Sequence, residues 1–127
     1  GSNLPKSISS ILGSKLGKVY KSRGINDFMK ALRMSYLALK GESDVRKVEE
    51  DIVEVKTIYS RNFCPIGGKH NPKNAKIFQD SICTPFTVSF ISEIDSSFKF
   101  VGDIKECILN TNENTCHYLL HLEEKEK

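Results

Sequence analysis

From Leu4 to Tyr20, the apolar residues Ile8, Ile11, Leu12, Leu16, Val19 and Tyr20 recur in steps of three and four, which predicts an amphipathic helix. Arg23 and Gly24 end it. Asn26 then offers a capping side chain to a second helix carrying Phe28, Met29, Leu32, Tyr36, Leu37 and Leu39, with Gly41 as its C-terminal stop. The charged stretch from Glu42 to Glu50 reads as an added helical turn, after which the β-branched run Ile52, Val53, Val55, Thr57, Ile58 and Tyr59 predicts a strand. Asn62 to Pro72 contains two glycines and two prolines together with Cys64 and His70, and therefore reads as a loop.

Beyond the loop, Ile77, Phe78, Ile82, Phe86, Phe90, Ile91 and Ile94 mark a helical face, with Pro85 at a break between two helices. Asp95 to Ser97 turns the chain into a strand through Phe98, Phe100, Gly102 and Ile104 to Leu109. The polar run Asn110 to Asn114 and a final strand from Thr115 to about Glu123 complete a hairpin. These elements predict an α+β fold, with the N-terminal helices and a central helix packed against a small antiparallel sheet that ends in a C-terminal hairpin.

A chain of 127 residues suits one domain, taken here as residues 4–127, with 1–3 set aside as a tag remnant or linker. The net charge of +3 comes from lysines and arginines interspersed with acids, without the basic stripe that tracks a phosphate backbone, so no nucleic-acid partner is expected. No apolar run reaches the roughly 18 residues of a membrane span, and no secretory leader opens the chain; a cytoplasmic setting is expected. Four cysteines then fit thiols better than a disulfide framework.

A hairpin centred between Thr111 and Asn112 places Cys107 directly opposite Cys116. Opposed Cβ atoms lie about 4.5–5.5 Å apart, close enough for two thiolates to share a zinc ion. Cys83, at the start of the helix before the hairpin, is placed to bring a third sulfur. Cys64, His70, Asp103, Glu106 or a water are candidates for the fourth ligand. Strand alternation puts Asp103 on the face of Cys107 and turns Glu106 and His117 away. The competing readings are a Cys107–Cys116 disulfide in oxidised material and plain core packing of small apolar thiols.

Three stretches carry a family resemblance: the strand IVEVKTIYSRNFCPI, the cysteine-bearing helix SICTPFTVSFISEI and the hairpin KECILNTNENTCHYLL. Together they resemble the 4-vinyl reductase, or hydrocarbon-binding, domain family over roughly residues 20–124. The resemblance implies a small-molecule sensor or carrier, dimeric in several branches, akin to the aromatic-sensing domains of bacterial activators and to subunits of vesicle-tethering complexes. It also implies a structural zinc on Cys83, Cys107 and Cys116, with a glutamate shortly before the second cysteine; here the nearest carboxylates are Asp103 and Glu106, out of that register. Cys64 is an addition to the pattern.

For such a ligand, Phe86 and Phe90 are candidate apolar pocket walls, and Tyr36, Tyr59 and Tyr118 are candidate orienting groups, each a ring with a polar handle. Catalysis is not expected, because three thiolates make a metal a poor Lewis acid and no GxGxxG or HExxH spacing is present. The alternative is a dimerisation or interaction module in which the helices from Leu4 to Leu39 pack against a twin, since they expose more apolar side chains than one sheet face requires.

Overall fold

The computed structural model describes residues 3–60, 64, 68–111 and 113–125. Helix α1, Asn3–Ser22, follows the predicted period but buries a different face from the one its large residues suggest. Ser9, Gly13, Leu16, Gly17 and Tyr20 meet helix α4, Thr84–Ile94, whereas Ile8, Ile11, Leu12 and Val19 stay exposed. Glycine decides this. A side chain on Gly13 would strike the carbonyl of Phe86, and one on Gly17 would sit 2.5 Å from the carbonyl oxygen of Phe90. The two helix backbones therefore approach more closely than any larger residue would allow. Ser14 Oγ donates to Glu93 Oε1 at 2.6 Å, and the Tyr20 ring meets Phe90 edge-on with centroids 5.1 Å apart.

Helix α2, Phe28–Ala38, is capped by Asp27, whose carboxylate accepts from the Met29 N–H at 3.0 Å; Asn26 does not take that role. Lys40 supplies the left-handed residue after the helix, with φ of 65°. Gly41 is instead the first residue of strand β1, Gly41–Glu49, and a side chain there would lie 2.7 Å from Thr57 Cγ2 and 2.8 Å from the Tyr59 ring. Glu42 to Glu49 is thus a strand, contrary to the helical reading. Within β1 only Gly41 and Val45 are buried, so no alternation of apolar residues announces it. Its charges suit an edge strand, where they discourage pairing with a further chain. Arg33 ties α2 to this edge by donating to the Val45 carbonyl at 2.6 Å.

Strand β2, Ile52–Tyr59, pairs with β1, and strand β4, Thr115–Glu124, lies between β2 and β3, Phe98–Glu106. The order β1-β2-β4-β3 is antiparallel throughout. Phe28, Ala31 and Leu32 of α2 and Phe90, Ile91 and Ile94 of α4 pack on Val53, Val55, Phe100, Tyr118 and Leu120 of the sheet to form the core. On the opposite sheet face, Glu54 accepts from Arg46 at 2.9 Å and faces His117 Nε2 at 3.2 Å. The fold is α+β, as the sequence predicts.

Pro85 does not break the chain between two helices. Helix α3, Pro72–Phe78, runs through a π-helical turn, Gln79–Cys83, straight into α4, with Pro85 in the first turn of the latter. The wider π turn, closed by the Thr84 N–H on the Gln79 carbonyl, makes room for a ring that would otherwise meet the carbonyl four residues earlier. The C-terminal hairpin is also remodelled. β3 stops at Glu106, and a four-residue helix α5, Ile108–Thr111, precedes β4. The Cys107 carbonyl accepts from the backbone of Asn110 and Thr111 and from the Thr111 hydroxyl, which removes it from the strand ladder.

Candidate functional site

Between α2, the π turn, α4 and the sheet lies a cavity of about 280 Å³. Tyr36 of α2, Tyr59 of β2, Phe86 and Phe90 of α4 and Tyr118 of β4 all stand on its wall. So do the four cysteines: Cys64, Cys83 at the end of the π turn, Cys107 and Cys116. Leu16, Leu32, Ile104 and Leu120 complete much of the remaining surface, and no lining residue among those described is charged. The aromatic and sulfur-bearing residues singled out by their chemistry are thus gathered around one space. Sequence reasoning missed the contributions of Leu16 and Tyr20, which depend on α1 reaching over α4, and of Gly102, whose missing side chain opens the wall beside Thr84.

The four sulfurs lie near one another around this space, close enough to raise one another's titration. The last β3–β4 pair, Glu106 with His117, keeps the register that would set Cys107 opposite Cys116, but β3 ends at Glu106; on its other edge Cys116 pairs with Thr57 of β2. Cys107 packs with Ala75 and Leu109 in a small satellite core that Cys64 and Phe78 adjoin. Cys83, Cys107 and Cys116 all remain thiols. The alternatives for a fourth ligand lie elsewhere. His70 is exposed. Asp103 is on the other side of the sheet, 2.7 Å from Lys105, because the bulge between Ile104 and Glu106 reverses the alternation that would have aligned it with Cys107. Glu106 does point away from Cys107, and His117 lies on the outer face beside Glu54.

Among the described residues no group of three His, Cys, Asp or Glu side chains is placed to hold a metal ion, so the expected zinc shell does not fit this arrangement. Burial, reinforced by Cys64 and Cys107, pushes the Cys83 thiol up to about 12, and burial with Cys107 and Cys83 nearby raises Cys116 further.

The tyrosines form the polar part of the wall. The Tyr36 and Tyr118 hydroxyls share one hydrogen bond of 2.5 Å, and burial holds both phenols far above their ordinary titration range. Tyr59 is raised as well, by burial first and then by Cys116. Behind the wall, Thr57 Oγ1 is buried with no hydrogen-bond partner among the described residues. Because an unsatisfied buried hydroxyl costs about 1–3 kcal/mol, Thr57→Val is expected to raise the urea midpoint by an amount equivalent to about 1 kcal/mol. Destabilisation would place a partner on that oxygen.

The fold and site thus define a class: an α+β domain with a cavity whose described lining carries no charge. No protein-family model matches the chain, and no curated protein is similar to it. A solved structure is similar in fold, that of a trafficking protein particle complex subunit 3 from Naegleria fowleri covalently bound to palmitic acid. The likeness covers 99% of this chain and 82% of that one, with a TM-score of 0.57 and 13% sequence identity. The similarity therefore falls on the vesicle-tethering side of the resemblance drawn from the sequence, and no match supports the 4-vinyl reductase family itself.

Proposed function

We propose that this chain is a non-catalytic interaction module of the kind found in tethering assemblies, with one apolar chain of lipid type held in its cavity. The cavity carries the reading. At about 280 Å³ it lies just below the roughly 300–1,000 Å³ of small-molecule pockets, a size that suits one linear chain. Its uncharged wall offers such a chain apolar contact along most of its length. The similar subunit with its palmitic acid points the same way.

The interaction surface is the exposed arc of α1, where Leu4, Ile8, Ile11, Leu12 and Val19 stand beside the face that packs on α4. A second copy or another subunit would cover it. No helix of the described residues is long and apolar enough to cross a membrane, so the arc is not part of a spanning helix.

Native mass spectrometry of the purified chain is expected to show one co-purified apolar molecule per chain, lost under denaturing conditions. Absence of added mass, with no rise in Tm on adding fatty alcohols or esters, would remove the ligand reading. Sedimentation is expected to show assembly at micromolar concentration that Ile8→Glu with Leu12→Glu abolishes without lowering Tm, since both side chains are about half exposed. A monomeric parent chain would remove the homotypic form of the assembly.

A further inference from the structure

The Tyr36 and Tyr118 hydroxyls hold one donor more than their mutual hydrogen bond uses. Each phenol has one O–H and acceptor lone pairs, so a bond between two of them consumes one proton and leaves the other. Among the described residues neither hydroxyl has a further partner, and both residues stand on the cavity wall. Of the other polar side chains on the wall, Ser35 already donates to the Leu32 carbonyl at 2.9 Å, while Tyr59, Gln79, Thr84 and Thr87 stand elsewhere on it. The tyrosine pair is thus a localised spot with a spare donor, set between α2 and β4.

The same wall lacks what an anion needs. No lysine, arginine or histidine is among its described residues, and a carboxylate brought inside would lose its hydration without gaining a countercharge. The phenols supply no compensation by ionising either, since that would add negative charge to the same space. A neutral group that only accepts a hydrogen bond meets neither penalty.

Building on the reading of the cavity as a lipid-chain site, we propose that Tyr36 and Tyr118 select ligands with a neutral, hydrogen-bond-accepting head, such as an ester, amide or alcohol, over free fatty acid anions. One phenol accepts from its neighbour and donates to the ligand's oxygen. The alkyl chain then runs along the aromatic and aliphatic wall that includes Phe86 and Phe90. Selectivity arises because leaving the spare donor unpaired costs free energy with a hydrocarbon, while desolvating the head costs more with a carboxylate.

The test is displacement of the fluorescent apolar dye N-phenylnaphthylamine by methyl decanoate, decanoic acid and undecane, a matched set differing in the head. At about pH 7 the ester is expected to bind at least roughly tenfold more tightly than the acid, whose carboxyl is ionised there. It should also bind severalfold more tightly than undecane, and replacing both residues together, Tyr36→Phe with Tyr118→Phe, should erase that second advantage while leaving undecane unchanged. Each single substitution leaves one phenol O–H free and should retain an ester advantage, which is the measurement read if the double variant fails to fold. Equal binding of ester and acid, or an ester advantage that survives both substitutions, would overturn the proposal while leaving the cavity a lipid-chain site. Displacement by none of the three would overturn the cavity reading and this selectivity with it.

Discussion

Gly13→Ala is expected to destabilise the chain by about 1–3 kcal/mol, although by helix propensity alone the same change stabilises a helix interior by about 1 kcal/mol. The sign reverses because of where the new methyl group lands. A Cβ at Gly13 overlaps the carbonyl oxygen of Phe86, with that residue's carbonyl carbon and Cα close behind. These are backbone atoms in the interior of a helix, so no rotamer change can relieve the clash. Relief requires α1 to slide or lift from α4, which would weaken the Ser14–Glu93 hydrogen bond and the edge-on contact of Tyr20 with Phe90. Gly17→Ala should act in the same direction, against the Phe90 carbonyl and Glu93 Cβ. Urea denaturation of each variant beside an exposed control such as Ser10→Ala makes the check. A stabilised Gly13→Ala would mean that α1 is not docked as closely as described. Leu16 and Tyr20 line the cavity, so a displaced α1 should also weaken ligand binding.

Stability is also expected to fall steeply on the alkaline side, beginning near pH 9. The ordinary thiol titrates near 8.5–9 in the unfolded chain. In the folded chain, burial pushes Cys83 up to about 12 and Cys116 beyond it. Both folded values are raised, so the contribution is fully present below the unfolded value and is lost as pH rises towards the folded one. Between about pH 9 and 12 each thiol should remove about 1.4 kcal/mol of stability per pH unit, because the unfolded chain releases a proton that the folded chain retains. Tyr36, Tyr59 and Tyr118 add to the slope above about pH 10, being raised in the same sense. Urea midpoints from pH 7 to 11 in the presence of reductant give the measurement. Cys83→Ala and Cys116→Ala should each flatten the curve, and together they should leave mainly the tyrosine part. A flat profile for the parent chain would show that these thiols reach water in the folded state.

The four cysteines legible in the sequence line one cavity, although among the described residues no three ligating side chains form a metal-holding group. Cys64, Cys83, Cys107 and Cys116 and the aromatic candidates, each chosen for its chemistry, line one space. Their mutual distances, however, depend on three local events that composition does not announce. Cys107 turns into α5, the bulge between Ile104 and Glu106 resets the alternation of β3, and the π turn rotates Cys83 relative to a straight α-helix.

Periodic burial was readable directly from the chain. The three-and-four rhythm gave α1 and α2, a β-branched run gave β2, a polar turn between apolar stretches gave β3 and β4, and the interspersed charge left no basic stripe for nucleic acid. These properties are local, because a residue's place on a helix or strand is set by its immediate neighbours in sequence. Tertiary structure alone decided the rest. It made a strand of the charged segment beginning at Gly41, because β2 offered a free edge, and it turned α1 so that its glycines face inward and its large apolar residues outward. It also set Tyr36 against Tyr118, which are 82 residues apart. Such pairings follow from how closely whole elements can approach one another, and no window of sequence contains both sides of that contact.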